Sequence, residues 1–131
     1  FFQLNYDGVF EERDSGLALA PTSLSTQRME AFLKTVGETA PLSLKETLQI
    51  ALRTWAASQL PPPSEGMDPT PDTPDTPEPA PTVRQLDPLL KKSLEDRTVE
   101  AVVLDRTQPG SSKYRALSKE EIQTMMKGAL K

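Results

Sequence analysis

Residues 43–58 read SLKETLQIALRTWAAS and contain the best-determined helix of the chain. Ser43 and Glu46 have the spacing of a capping box, in which each side chain accepts a hydrogen bond from the other residue's amide. Apolar side chains recur every three or four residues, which places them on one stripe of a helix. Ile50 lies off this stripe, so we expect a core helix that is covered on more than one side. The stripe consists of Leu44, Leu48, Ala51, Leu52 and Trp55.

The first twelve residues, FFQLNYDGVFEE, have the pattern of a β-hairpin. Phe2, Leu4 and Tyr6 alternate with polar residues, which is typical of a half-buried strand. Asp7-Gly8 favours a two-residue turn because both residues tolerate positive φ, and residues 9–12 are predicted to return as the second strand.

Glu11, Glu12 and Asp14 follow closely on one another, and three neighbouring carboxylates could in principle bind a metal ion. Their spacing matches no metal-ligand motif, and charges that leave a strand are commonly solvated. We therefore predict no metal site here.

Residues 16–20 (GLALA) form a short apolar run that Pro21 ends, and we predict a buried strand. Residues 23–36 are predicted to form a helix that ends at Gly37. Its apolar stripe consists of Met29, Phe32, Leu33 and Val36.

Residues 59–85 change in composition, because nine of the chain's 13 prolines lie between Pro61 and Pro81. Proline removes amide donors and fixes φ, so neither helix nor sheet is expected. The acidic residues extend the chain further, and we predict a flexible insertion. Residues 71–74 satisfy PxxP, so a docking strip for a partner is the alternative.

Structure is predicted to resume at residue 86. Asp87-Pro88 is typical of a helix start, and the pattern that follows supports two helical turns. Residues 99–105 (VEAVVLD) are apolar on both faces, which predicts a central strand buried on both sides.

The chain then turns at residues 108–110 and is predicted to return as an antiparallel strand over residues 113–117. Ser118 and Glu121 form a second capping box. The helix that follows carries two adjacent methionines, which we interpret as core filling rather than a binding surface. Its apolar stripe consists of Ile122, Met125, Met126, Ala129 and Leu130.

The order of these elements predicts an α+β domain in which helices cover sheets. Residues 1–58 and 86–131 belong to the same domain in this interpretation, and the insertion of residues 59–85 separates them. Hydrophobic residues make up 36% of the chain, and the apolar fraction is lower than is usual for a globular domain. Most of this shortfall falls in the insertion.

Composition excludes several function classes. The net charge of −4 argues against a general nucleic-acid binder, and no run of 18 apolar residues predicts a membrane span. The chain has no His and no Cys, so it lacks a Ser-His-Asp triad, a thiol nucleophile and His or Cys metal ligands. No phosphate-binding glycine loop occurs. Ser, Thr and Lys nucleophiles and carboxylate pairs stay open, but none has a recognisable catalytic spacing, so we assign no catalytic residue, no cofactor and no metal.

The chain starts at Phe1 without Met or a signal peptide, and we expect a fragment of a longer protein. The lack of Cys suits a reducing compartment, and we expect a cytoplasmic protein.

Taken in order, the segments FFQLNYDGVFEE, GLALA, LSLKETLQIALRTWAA and VEAVVLDRTQPGSSKYRALSKEEI resemble the C-terminal half of a bacterial proteasome α-type subunit. The family's Tyr-Asp-Gly hairpin is matched by Tyr6-Asp7-Gly8, and its central helix is similar to residues 42–57. The chain departs from the family at Ala20-Pro21, where Gly-Gly is common, and in its long insertion. The late hairpin of the family is matched by Glu100, Ala101, Val103, Leu104, Asp105, Pro109 and Tyr114.

This resemblance implies the C-terminal part of a four-layer αββα sandwich, the fold of N-terminal-nucleophile hydrolases. It implies a non-catalytic subunit that packs in a ring with other α-type subunits and contacts β-type proteasome subunits. The ring of α-type subunits gates substrate entry for protein degradation. A regulatory ATPase ring is a further implied partner. No residue of this chain matches a catalytic position of the family.

Two other functions stay open from the sequence. The chain could be the C-terminal part of a catalytic β-type subunit or a related N-terminal-nucleophile peptidase. It could also be an adaptor built around the proline-rich strip. A Thr that follows a cleaved propeptide upstream would favour the peptidase, and partner binding by residues 61–81 alone would favour the adaptor.

Overall fold

The computed structural model describes residues 2–4, 7–12, 16–37, 42–61, 79–105 and 107–127. Within these ranges the chain forms two antiparallel hairpins and four α-helices. The elements in chain order are β1 (Phe2–Leu4), β2 (Phe10–Glu12), α1 (Ser23–Val36), α2 (Leu44–Ala57), α3 (Val83–Leu94), β3 (Val102–Leu104), β4 (Tyr114–Ala116) and α4 (Lys119–Met126).

The predicted central helix is α2, and its capping box is present. The Ser43 amide donates to Glu46 Oε2 at 2.8 Å, and the Glu46 amide donates to Ser43 Oγ at 3.3 Å. These bonds satisfy two of the amides that a helix start leaves without intrahelical partners. The start of the best-determined element is therefore fixed locally.

Helix α2 packs against α1, α3 and α4, and each of these three contacts no other described helix. Leu48 and Leu52 of the predicted stripe are buried, and Ile50 outside the stripe is partly buried. The prediction of cover on more than one side is confirmed. Leu44 and Ala51 of the predicted stripe are exposed. Outside the stripe, Thr54, Ala56 and Ala57 near the C-terminal end of the helix are buried.

Helix α1 has the bounds that the sequence predicts. The Thr22 hydroxyl accepts from the Ser25 amide, and the helix ends at Gly37, whose φ of 74° suits glycine. Met29 and Phe32 are buried against the core.

Helix α3 begins earlier than predicted. The sequence placed its start at Asp87-Pro88, but the helix starts at Val83 and Pro88 lies inside it. The Thr82 amide and hydroxyl both donate to Gln85 Oε1, which fixes the start there. The driving force is burial, because Leu86 and Leu90 are both 0% exposed against the core.

Both ends of the predicted insertion pack against the helices and are therefore part of the folded domain. The buried Arg28 guanidinium donates to the Leu60 carbonyl at 2.8 Å, and Leu60 packs against the core. Pro81 is buried just before α3. Residues 62–78 of the insertion, with the PxxP motif, lie outside the described residues.

The strand predicted for residues 16–20 is wrong, since this run has no regular secondary structure. Only Ala18 is buried there, while Leu19 is exposed. The apolar composition correctly indicated that this run contacts the core. It did not show that the backbone lacks a neighbouring strand to pair with.

The first hairpin forms with a different register from the one a two-residue turn would give. Leu4 pairs with Phe10 and Phe2 with Glu12, so the connection spans residues 5–9. A two-residue turn at Asp7-Gly8 would place Leu4 opposite Glu11. Because cross-strand neighbours share a face, this shift of one residue puts Phe10 beside Leu4.

The second hairpin is antiparallel as predicted, with Val103 opposite Arg115. Only one of its faces is covered, because Val99, Ala101 and Val103 pack against the core while Val102 and Leu104 are exposed. The prediction of a strand buried on both sides is therefore wrong for the described chain. The strand is also shorter than predicted, at three residues.

Helix α4 begins with the predicted capping box between Ser118 and Glu121. Ile122 is buried, and Gln49 of α2 donates to the Met125 carbonyl at 2.8 Å. Met125 and Met126 pack partly buried against the core, in agreement with their interpretation as core filling. Residues 128–131, which include the predicted Ala129 and Leu130, lie outside the described residues.

The described residues thus form a helical layer around α2 with two separate hairpins. This composition is α+β, as predicted. The two sheets have two strands each and do not join, so the four-layer sandwich that the resemblance implies stays a prediction.

Candidate functional site

The first candidate surface is the outer face of the β1–β2 hairpin, defined here by Phe2, Leu4 and Phe10. Leu4 and Phe10 are cross-strand partners, and Phe2 lies two residues from Leu4 on the same face. Their exposed fractions are 68%, 74% and 67%. Three large apolar side chains on one face of a short hairpin form an exposed apolar patch, and its contact with water is unfavourable.

The second candidate surface is the outer face of the β3–β4 hairpin, defined by Val102, Leu104 and Tyr114. Leu104 and Tyr114 are cross-strand partners, and Val102 shares their face. Their exposed fractions are 57%, 74% and 57%. The inner face carries Val103 and Arg115, of which Val103 packs on the core.

In the described chain the backbone of neither hairpin lies close to a helix or to the other hairpin. Side chains connect the second hairpin to the helices, and Arg115 of β4 donates to Glu121 of α4 at 2.8 Å. The second hairpin reaches the core only through Val103 and its flanking residues, such as Leu117, whose amide donates to the Ala101 carbonyl. Because a two-stranded hairpin in water is marginally stable alone, both outer faces have the character of contact surfaces.

The sequence predicts a half-buried strand at Phe2 and Leu4 and a strand buried on both sides at Val102 and Leu104. It makes no prediction of burial for Phe10 or Tyr114. Period-two alternation identifies which residues share a face of a strand, and it does not say whether that face is covered. The adjacent pair Val102 and Val103 shows this, because both are β-branched and apolar yet only Val103 meets the core.

An open groove of about 420 Å³ lies between the start of α2 and helix α4. Leu44 and Met125 form its apolar part, and Glu120, Glu121 and Thr124 line the rest. The groove brings together no combination of nucleophile, base and oxyanion donor that would support catalysis.

Electrostatic contacts in the helical layer are structural. Arg53 of α2 makes two hydrogen bonds to the Asp87 carboxylate of α3, the shorter at 2.7 Å. The Arg97 guanidinium lies 5.4 Å from the centre of the Trp55 ring, a cation–π distance. Both contacts connect α2 to α3 or to the segment that follows it.

Three carboxylates have lowered pKa values for reasons of local structure. The Ser43 hydroxyl, followed by the Ser43 amide, holds the pKa of Glu46 below its usual value. The Ser118 amide and then Arg115 lower the pKa of Glu121, and the Thr107 hydroxyl and amide lower that of Asp105. Hydrogen bonds to the ionised form explain all three shifts, and none marks a general acid or base.

In the described residues no cluster of acidic side chains is arranged to hold a metal ion, at the first hairpin or elsewhere. Glu11 and Glu12 are adjacent in β2 and therefore point to opposite faces. Asp14 lies outside the described residues.

No helix in the described ranges combines the length and apolar character that crossing a bilayer requires.

Comparisons of the chain with profiles of known protein families, with curated proteins and with solved structures found no match.

Proposed function

We propose that this chain is part of a non-catalytic α-type subunit of a proteasome core particle. The sequence resemblance over both hairpins and the central helix suggests this family. The observation that carries the proposal is the pair of exposed apolar hairpin faces, each on a sheet that has two strands within the described residues.

The chemistry of these faces favours β-structure as their cover. Apolar faces on strands pack against another layer of secondary structure in stable domains. Each two-stranded sheet also leaves backbone groups on its outer edges, which further strands satisfy. An αββα sandwich meets both needs, since it extends each sheet and stacks the two sheets face to face.

In this proposal the chain's role is assembly rather than chemistry. It packs beside other α-type subunits in a cytoplasmic ring, contacts β-type subunits, and leaves regulation to an ATPase ring that docks on the particle. The sequence has no His and no Cys, so catalysis by this chain would depend on Ser, Thr, Lys or carboxylate side chains, none of which stands in a recognisable catalytic spacing.

The test uses the chain in its native reading frame, co-expressed with the β-type subunit of the same organism. Ring formation is measured by size-exclusion chromatography with light scattering and by electron microscopy. We expect a ring that contains both subunits, and we expect Leu104→Asp to abolish it. The variant should keep its helical circular dichroism, because Leu104 is 74% exposed and does not support the helical layer.

Val83→Asp is the matched control, since Val83 is also an exposed apolar residue but lies at the start of α3, away from both hairpins. A carboxylate is tolerated at a helix N-terminus, so assembly should persist. Val103→Asp is a poorer probe because it would also place a carboxylate against the core. A ring that survives Leu104→Asp, or a wild-type subunit that stays monomeric beside its β-type partner, contradicts the proposal.

A further inference from the structure

We draw no further inference here: the strongest candidate beyond the two hairpin faces, the open groove between the first turn of α2 and helix α4, is an unpartnered apolar surface, and nothing in the described part of the chain shows what covers it.

Discussion

Single side chains fix where the helices start. Ser43 with Glu46 and Ser118 with Glu121 supply the reciprocal bonds of a capping box, and these pairs were recognisable in the sequence. Arg28 is different, because it is a buried charged residue whose bond to the Leu60 carbonyl joins segments that are distant in sequence. Hydrogen bonds between residues three positions apart thus set the helix starts. A hydrogen bond between residues 32 positions apart holds Leu60, which follows α2, against α1.

The lowered pKa of Glu46 gives a prediction about pH. A carboxyl with a lower pKa in the folded state stabilises that state fully above its ordinary pKa of 4.5, and this contribution is lost as the pH falls through the folded value. Glu46→Gln keeps an acceptor for the Ser43 amide but does not titrate. The free energy of unfolding of the wild type should therefore fall relative to that of Glu46→Gln as the pH is lowered to 4.5 and below.

Urea denaturation followed by circular dichroism at each pH measures this difference. Glu100→Gln is the control, because it removes one carboxylate at an exposed residue outside any helix or strand. A difference between wild type and Glu46→Gln that stays constant over the whole range would show that the capping carboxylate is not perturbed.

The four helices and the two hairpins differ in how their apolar residues are used. Helix α3 buries Leu86 and Leu90 completely although it contains a proline, whereas the hairpins leave most of their apolar residues in water. Tertiary burial thus outweighs an unfavourable local sequence in α3. The hairpins show the opposite case, in which favourable local patterning brings no burial.

Pro88 provides a test of the helix start. Proline inside a helix costs about 3 kcal/mol relative to alanine because it removes an amide donor and its ring clashes with the preceding turn. Pro88→Ala should therefore stabilise the chain by up to about 3 kcal/mol and raise its helical circular dichroism. Pro21→Ala, outside every helix, is the control for proline's effect on the unfolded chain.

The sign of the Pro88→Ala effect separates two bounds for α3. If the helix began at Asp87, as the sequence pattern suggests, Pro88 would occupy the first turn, where proline is favourable. The substitution would then leave stability unchanged or reduce it.

The described part of the chain divides its apolar side chains unevenly between core and surface. The helical layer encloses a shared core around α2, while two hairpin faces carry exposed Phe, Leu, Val and Tyr side chains. We expect the isolated chain to bind apolar dyes and to aggregate, because such surfaces associate when nothing covers them.

The proline-rich segment should be dispensable for assembly. Replacing residues 62–78 by a Gly/Ser linker of equal length should leave ring formation unchanged, because a segment of this composition is not expected to bury apolar surface. Leu60 and Pro81 are retained in this variant since both belong to the helical layer. Loss of the ring would instead identify the segment as a docking strip, which amide exchange protection within residues 68–78 would confirm.

The purified chain should hydrolyse no peptide bond. Its sequence supplies neither His nor Cys, and the Ser43, Ser118 and Thr82 hydroxyls are all engaged in hydrogen bonds at helix starts, where Ser43 donates to the Glu46 carboxylate of its own capping box. Fluorogenic peptide substrates provide the assay, with a mixture of proteasome β-type subunits as the positive control. Turnover that is lost on substitution of one Ser or Thr of this chain would refute the prediction.

Elements with local sequence signals could be predicted from the sequence alone. It predicted the bounds of α1, the capping boxes of α2 and α4, and the presence of two hairpins, because capping bonds and helical periodicity depend on residues within a few positions of each other.

The tertiary structure decided the features that depend on distant partners. It placed the start of α3 at Val83, left residues 16–20 without a strand, and shifted the first hairpin by one residue so that Phe10 joins Leu4. It also covered Val103 and exposed Val102, which an alternating pattern treats alike. The reason is that burial is a property of the space beside a side chain, and the residues that fill that space lie far away in the sequence.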